Sequence, residues 1–247
     1  MIIISLAILL IYLPSNKAMA TIDQMISAIE NAGDRTYSVI VRDQETGRRD
    51  RGDAWSAVDG RNRRERAALD GATLYLRSRD QYVLYRYTPS GQTVMNGSDG
   101  LTNWLIRPKR EVLVSNNPQA FRIPMPEDLA DLLTLDFSDT LQQIRERYKI
   151  KYLGIVTVEQ NQEKSWAYLH ATRQNRRFKG PRVIRIWAHP DTGLLRRIEF
   201  ADIQLQGDPE PKKLIFDLMD QKQLPENWFT HIAHHSEDAE VDYLPPQ

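Results

Sequence analysis

The sequence predicts an α+β fold in which an antiparallel sheet carries helices on one of its faces. Short runs of β-forming residues follow one another through tight turns, as in an antiparallel meander. Other segments space their apolar residues by three and four positions, as amphipathic helices do. Because the 247 residues contain no repeat and no linker, we expect one folded domain. A sheet this long must curl, split or close, and a curled sheet encloses a space beneath its helices.

Residues 1–20 have the organisation of a secretory signal peptide. The apolar run from Ile2 to Leu13 is too short for an ordinary membrane span, and Ala18-Met19-Ala20 supplies a small-x-small cleavage signal. No Lys or Arg precedes the run, so an uncleaved N-terminal anchor is the alternative. We therefore expect export to the periplasm and a mature chain that begins at Thr21.

The mature chain is predicted to open with a helix and continue as strands. One apolar stripe and a glycine stop define the helix: Ile22, Met25, Ile26, Ile29 and Gly33. Strands are then predicted at residues 36–42, 54–58, 72–78, 81–88, 92–95, 103–106 and 111–114.

A helical insertion is predicted to interrupt the strands. Pro126 begins one helix, and its apolar face holds Leu129, Leu132 and Leu133. Ser138 caps a second helix, in which one side carries Leu141, Ile144 and Tyr148.

The second half of the chain is predicted to return to strands, at residues 152–159, 165–172, 182–189, 194–205 and 213–219. His189-Pro190-Asp191-Thr192-Gly193 predicts a hairpin turn between two of them. Residues 236–247 are acidic and are expected to form a loose tail.

Composition and motifs exclude several classes of function. Lys+Arg and Asp+Glu both number 33, so the basic excess typical of nucleic-acid binding is missing. The lack of cysteine removes disulfides, thiol catalysis and thiolate metal sites. Asp191-Thr192-Gly193 resembles the aspartic-protease triplet, but those enzymes need two such aspartates and the chain has one triplet. We expect a protein without enzymatic activity or cofactor; a hydrolase of unfamiliar type is a further hypothesis.

Clusters of basic side chains allow two interpretations. They form either a solvated face or a patch for anionic lipid or an acidic partner. The first holds Arg48, Arg49, Arg51, Arg61, Arg63, Arg64 and Arg66, and the second Arg173, Arg176, Arg177, Lys179, Arg182 and Arg185. A histidine cluster is expected to be an exposed polar terminus, with a metal site as the alternative: His231, His234 and His235.

Large side chains alternate along residues 81–88. One face is predicted to hold Val83, Tyr85 and Tyr87, and the other Tyr82, Leu84 and Arg86. Apolar groups on both faces indicate either ordinary core on both sides or a ligand cavity on one.

Three stretches of the chain carry a resemblance to a known family. They are the N-terminal helix with residues 36–42, the run Ser98-Asp99-Gly100-Leu101-Thr102-Asn103-Trp104, and Gly193 to Phe229 with its Leu224-Pro225-Glu226-Asn227-Trp228-Phe229 end. In this order they resemble the outer-membrane lipoprotein carriers, the LolA-like proteins. The resemblance implies an incomplete, strongly curved β-barrel over residues 21–235, with helices covering the concave face of its sheet. Its apolar interior would shield lipoprotein acyl chains in the periplasm.

The resemblance also implies a cavity and a lid. The lipid-binding cavity is predicted to be lined by Tyr85, Tyr87, Trp104, Ile106, Ile186, Phe200 and Phe216. The lid is predicted to hold Leu129, Leu132 and Leu133, with Arg79 nearest to the family's latch arginine but lacking its following proline. We expect Trp104→Asp to abolish acyl binding and spare the fold.

The sequence thus predicts a monomeric periplasmic carrier or sorting protein that binds lipoprotein acyl chains or another lipid. The alternative is a periplasmic regulator of envelope stress with the same fold, which senses a lipid or a protein partner. Either role can involve an envelope membrane protein.

Overall fold

The computed structural model describes residues 2–43, 68–78, 80–108, 111–117, 120–121, 129, 132, 137–157, 165–175, 178–203 and 212–245. The chain divides into two compact units. Unit 1 comprises Met1–Asn31 and Glu127–Ile203, and unit 2 comprises Ala32–Pro126 and Gln204–Gln247.

The described elements are two α-helices, two 3₁₀ helices and the strands between them. In chain order they are α1 (Ile2–Asn31), β1 (Arg35–Asp43), β2 (Ala68–Leu76), β3 (Gln81–Tyr87), β4 (Thr93–Asp99), β5 (Asn103–Ile106), β6 (Val112–Ser115), α2 (Phe137–Arg147), β7 (Tyr148–Thr157), β8 (Ser165–Arg173), β9 (Val183–Ala188), β10 (Leu195–Ile203), β11 (Lys212–Asp220), η1 (Glu226–Phe229), η2 (His231–His234) and β12 (Val241–Tyr243).

Unit 2 is built on strands in the order β12-β6-β5-β4-β3-β2-β1-β11. All neighbours pair antiparallel except β12, which lies parallel to β6. The β3–β4 hairpin is closed by the Thr88 N–H, which donates to the Gln92 carbonyl at 2.8 Å. Gly91, at φ 79°, supplies the left-handed backbone that this turn needs.

The strand register assigns the large side chains of unit 2 to two opposite faces. Tyr37 pairs with Leu74, which pairs with Leu84, and Val39 pairs with Phe216. These side chains share one face because paired residues and alternate residues of a strand point the same way. We call it the Phe216 face; its members are Tyr37, Val39, Leu74, Leu84 and Phe216, all buried.

The opposite face of unit 2 carries a second set of large side chains. Val83 pairs through Gly97 with Trp104, and Tyr85 pairs through Met95 with Ile106. We call this the Trp104 face; its members are Val83, Tyr85, Met95, Trp104 and Ile106.

Unit 1 combines a four-stranded antiparallel sheet, in the order β10-β9-β8-β7, with helices α1 and α2. Helix α1 packs against α2, β7 and β10. Its buried side chains are Ala18, Ile22, Met25, Ile26 and Ile29, which confirms the predicted apolar stripe. The sheet buries rows of aliphatic and aromatic groups, among them Leu169, Ile186 and Ile198, and Ala171, Ile184 and Phe200.

The β9–β10 turn of unit 1 is the predicted hairpin. The His189 N–H donates to the Leu194 carbonyl at 2.8 Å, and Gly193 has φ 73°. Gln24 of α1 donates from Nε2 to the Asp191 carbonyl at 2.6 Å. Asp191 and Gly193 therefore have the turn role that the sequence indicated, and the structure adds the contact between Asp191 and α1.

The predicted fold class is confirmed: the structure is α+β, most strands pair antiparallel, and the sheet does not close, as in an incomplete barrel. Within the described residues, no helix has an apolar stretch long enough to cross a bilayer. The predicted strand at residues 54–58 lies outside the described residues.

Three local predictions differ from the structure. Helix α1 of the full chain begins at Ile2 and runs through Ala20, whereas the helix was expected to open the mature chain at Thr21. Tyr148 begins β7 instead of ending α2, since its side chain fills the core and its hydroxyl donates to the Pro181 carbonyl at 2.9 Å. The expected loose tail is also wrong, because Val241–Tyr243 pairs with β6 as strand β12.

Gly97→Ala is expected to destabilise unit 2 by about 2 kcal/mol, because a Cβ there would overpack the core. It would lie 2.1 Å from Cζ2 of Trp104, which leaves no room for a methyl group. Gly33→Ala is the matched control, since no described heavy atom beyond its two chain neighbours lies within 4 Å of the position that its methyl group would take. Urea unfolding of the three proteins measures the difference; equal midpoints for Gly97→Ala and the parent would contradict this packing.

Candidate functional site

The Trp104 face is covered by the chain's own C-terminal segment, which we define as residues 224–243. Trp104 is fully buried, and its indole Nε1–H donates to the Phe229 carbonyl at 2.9 Å. Phe229 itself packs into the cluster formed by Val83, Trp104 and Ile106. This face is therefore filled by protein side chains in the structure.

His234 lies at the centre of the contact between the C-terminal segment and the Trp104 face. Its ring stacks on Trp104 with centroids 5.2 Å apart and meets Tyr85 and Trp228 edge to face. Nε2 lies 2.5 Å from the Trp228 carbonyl oxygen, and Nδ1 lies 2.8 Å from the Tyr85 hydroxyl. Since a carbonyl only accepts, Nε2 carries the proton, and the neutral ring accepts from Tyr85 through Nδ1.

The surroundings of the histidines favour their neutral forms. Burial lowers the pKa of His234, an effect that His235 reinforces and the Trp228 carbonyl partly offsets. Burial and the neighbouring His235 also lower the pKa of His231. Burial raises the pKa of Tyr85 to about 12, so its hydroxyl remains a donor. The histidines were expected at an exposed terminus; this is wrong for His231, which is buried, and for His234, because aromatic side chains surround it.

Arg77 ties the start of β1, the end of β2 and the C-terminal segment together. It makes two hydrogen bonds to Asp34, from Nε at 2.8 Å and from Nη2 at 3.0 Å. The same guanidinium donates to the carbonyls of Leu224, Pro225 and Glu226 at 3.0–3.1 Å. The carboxylate of Asp34 also accepts the Leu224 N–H at 2.6 Å. We call this group of contacts the Arg77 clamp.

The charge balance of the Arg77 clamp keeps Asp34 ionised. Burial alone would raise the pKa of Asp34, but hydrogen bonds from Arg77 and the Leu224 N–H outweigh it and hold the pKa below its ordinary value. The hydrogen bond to Asp34 likewise raises the pKa of Arg77. A polar cleft of about 740 Å³ lies beside the clamp and is lined by Ala32, Gly33, Asp34, Arg77, Gln221, Gln223, Leu224 and Glu226.

Within unit 2 the predicted cavity residues lie on both faces of the sheet. Tyr85, Trp104 and Ile106 meet on the Trp104 face, and Tyr87, at the end of β3, is 47% exposed. Phe216 lies on the opposite face of the unit 2 sheet. Ile186 and Phe200 are buried in unit 1.

The expectation that Trp104→Asp spares the fold is not compatible with this packing. The substitution would place a carboxylate in a fully buried position and remove the bond to the Phe229 carbonyl. Trp104 is a structural anchor of the C-terminal segment.

The lid residues are only partly described. Leu129 and Leu132 are fully buried and belong to unit 1, while Leu133 and Arg79 lie outside the described residues. Arg77, two positions before the predicted latch, makes latch-like bonds to backbone carbonyls. Sequence reasoning missed it because its partners, Asp34 and Leu224, are far from it along the chain.

The structure describes much of the second predicted arginine cluster but none of the first. The cluster at residues 48–66 lies outside the described residues. In the second cluster Arg173 donates to the Phe178 and Gly180 carbonyls, and Arg185 pairs with Glu199. Among the described residues no three His, Asp or Glu side chains come together as a metal site would require.

Three solved structures illustrate the similarity of chain fold. Lipoprotein LppX from Mycobacterium tuberculosis is 12% identical, with 84% of this chain and 97% of LppX covered and a TM-score of 0.48. A LolA superfamily protein from Nitrosomonas europaea is 12% identical, with 86% and 97% covered and a TM-score of 0.31. MucB, in its complex with MucA, is 13% identical, with 86% and 59% covered and a TM-score of 0.36.

The LolA-like family that the sequence resembles is thus represented among the similar structures. No protein-family model and no curated protein matches the chain. Since the structural similarity is distant, the functional proposal rests on the chain's own residues.

Asp34→Asn is expected to lower the free energy of unfolding by about 2 to 3 kcal/mol at pH 7, because it removes charged hydrogen bonds of the Arg77 clamp. The lowered pKa of Asp34 means that its stabilisation is present at neutral pH and is lost as the pH falls through that pKa. The deficit of the variant should therefore shrink below about pH 4. Urea unfolding at several pH values tests this, with the exposed Asp191→Asn as control; a pH-independent deficit would argue against the clamp.

Acidification is expected to weaken the packing of the C-terminal segment through His234. An unfolded histidine takes up a proton as the pH falls through about 6.5, whereas the buried ring stays neutral to lower pH. Stability should therefore decrease as the pH drops below that value. His234→Gln, whose amide can replace both hydrogen bonds, should have a shallower pH dependence between pH 7 and 5. His234→Phe should lose stability at every pH and also titrate less; an unchanged slope in both variants would contradict the neutral assignment.

Proposed function

We propose that the protein is a periplasmic carrier or sorting protein that binds lipoprotein acyl chains or another lipid, without enzymatic activity. The observation that carries the proposal is the Phe216 face, a set of buried apolar side chains on one side of an open sheet. The resemblance of the sequence to lipoprotein carriers supports the same role. Two of the similar structures are, by their descriptions, a lipoprotein and a LolA superfamily protein.

The Phe216 face is the better candidate for acyl chains than the Trp104 face. The side chains of Trp104, Phe229 and His234 already fill the Trp104 face, and hydrogen bonds fix two of them. The Phe216 face presents aliphatic and aromatic groups on β1, β2, β3 and β11, which match the chemistry of an acyl chain. The residues are buried, so a lipid reaches them only when the groups that cover this face move aside.

The physical gain from such a site is large for a long-chain ligand. Each methylene group withdrawn from water contributes about 0.8 kcal/mol, so the free energy of binding grows with the length of the acyl chain. In this proposal the leucines predicted for the lid, Leu129, Leu132 and Leu133, keep that role.

A second candidate function is a regulator that recognises an acidic partner. On unit 1 the register places Lys151, His170 and Arg185 side by side across β7, β8 and β9. Burial lowers the pKa of His170, and the charges of Arg185 and Lys151 add to this effect. MucB, which was solved with MucA, is an example of a similar structure that binds a protein.

Photo-crosslinking with a diazirine-bearing fatty acid is expected to label the Phe216 face. Neighbouring residues of β3 point to opposite faces, so labelled Leu84 with unlabelled Val83 and Tyr85 identifies the face that holds the lipid. Leu84→Ala should weaken fatty-acid binding several-fold, whereas Val83→Ala should leave it near the parent value. Both truncations cost roughly 2 kcal/mol of stability, so destabilisation alone does not produce the difference.

Native mass spectrometry of protein purified without detergent provides the independent readout. A mass increase that matches a lipid supports the carrier proposal. An apo mass, together with no labelling by the fatty acid, would overturn it and favour the regulator that binds an acidic partner.

A further inference from the structure

Arg35, at the first position of β1, is a buried cation with incomplete hydrogen bonding. The residue is 2% exposed, and its Nε and Nη1 atoms have no hydrogen-bond acceptor among the described residues. Burying guanidinium nitrogens without acceptors is unfavourable, since these groups lose their water and gain nothing in return. Such a residue lowers the stability of the protein without ligand, and a bound anion would supply the missing hydrogen-bond acceptors.

The neighbouring carboxylate does not complete Arg35. Asp34 is adjacent in sequence, but its Oδ1 accepts from Arg77 and its Oδ2 accepts from Arg77 and from the Leu224 N–H. Its hydrogen-bonding capacity is therefore directed into the Arg77 clamp. Arg35 acts on Asp34 only through its charge, which helps to hold the pKa of Asp34 down after the larger effects of Arg77 and Leu224.

Arg35 belongs to a row of mostly polar residues that crosses the unit 2 sheet. The register pairs Arg35 with Leu76, Leu76 with Tyr82, Tyr82 with Ser98, Ser98 with Asn103 and Asn103 with Ser115. These side chains share one face, so the row places guanidinium, phenol, hydroxyl and amide groups along one line. Ser98 and Ser115 are also buried.

The next rows of the same face are mostly apolar, with the buried Arg86 and Asn96 hydrogen-bonded to each other on β3 and β4. Tyr37, two residues after Arg35, pairs with Leu74, which pairs with Leu84, and Val39 pairs with Phe216. Alternate residues of β1 point to the same side, so Arg35 stands at the end of the Phe216 face. The face is thus amphiphilic: a buried cation and polar groups border an apolar surface.

We infer that the ligand of the Phe216 face carries an anionic head group, a carboxylate or a phosphate, and that Arg35 binds it. This inference rests on the proposed function and names the class of ligand, an anionic amphiphile. A guanidinium binds either oxyanion with two parallel hydrogen bonds, so the unsatisfied Nε and Nη1 suit such a head group. Tyr82, whose pKa burial raises, keeps its proton and can add a donor.

The test compares four probes on the full chain: palmitic acid, hexadecanol, lysophosphatidic acid and inorganic phosphate. Isothermal titration measures binding to the parent protein, to Arg35→Met and to Arg42→Met. Arg42 is the matched control because it is an exposed arginine of the same strand. The parent should bind palmitic acid or lysophosphatidic acid about tenfold or more tightly than hexadecanol.

Arg35→Met should abolish this preference for a charged head group and leave hexadecanol binding near the parent value, while Arg42→Met should behave as the parent. Without ligand, Arg35→Met should melt at a higher temperature than the parent, because it removes a buried charge with unsatisfied donors. A purely structural arginine would give the opposite shift in melting temperature.

Each further outcome decides one of the two proposals. Equal binding of the acid and the alcohol by the parent protein would overturn the head-group inference and leave the lipid-binding function standing. Binding of inorganic phosphate that depends on Arg35, with no preference among the lipids, would assign the site to free phosphate and also overturn it. A parent protein that binds none of the lipids would overturn the proposed function itself.

Discussion

Unit 2 depends on the multiple hydrogen bonds of one guanidinium. Arg77 reaches the carboxylate of Asp34 and three consecutive backbone carbonyls, at Leu224, Pro225 and Glu226. An arginine suits this position because its planar fork presents several donors at once, which a lysine does not. The guanidinium also lies over the Phe229 ring, 4.7 Å from its centroid. The path of the C-terminal segment across the Trp104 face begins at this point.

The two faces of the unit 2 sheet carry different sets of side chains and contacts. The Trp104 face is completed by residues of the chain itself, through the indole bond to Phe229 and the imidazole between Tyr85 and Trp228. The other face offers aliphatic and aromatic groups and an arginine with two nitrogens that find no acceptor in the described part of the chain. The two faces therefore differ in kind: one packs around hydrogen-bonded aromatic groups, and the other combines buried apolar side chains with a buried arginine.

The sequence predicted the class of fold and most strands, since alternation and turn residues are local signals. The strand Asn103–Ile106 and the hairpin at Gly193 were predicted correctly because residues that are adjacent in sequence determine strand alternation and turn type. The face of the sheet to which each side chain points could not be predicted from such local signals. Val83 and Leu84 are both apolar and both buried, and only the register tells that they point to opposite sides.

The polar groups of the site were the harder part of the prediction. Arg77 and Asp34 stand 43 positions apart, and Tyr85 and His234 stand 149 positions apart, so no spacing in the sequence reveals either contact. The histidines looked like a polar terminus because hydrophilic residues follow them. The burial of His234 comes from aromatic partners on distant strands.

The pairing of β1 with β11 governs when this protein can fold. Val39 meets Phe216, and unit 2 is assembled from two stretches of chain that are separated by most of unit 1. Contacts between such distant segments require the closure of a long loop before they yield any stabilisation, which makes folding slow. A nascent chain therefore cannot complete this sheet until synthesis has passed β11, nor protect the edge of β6 until β12 has emerged.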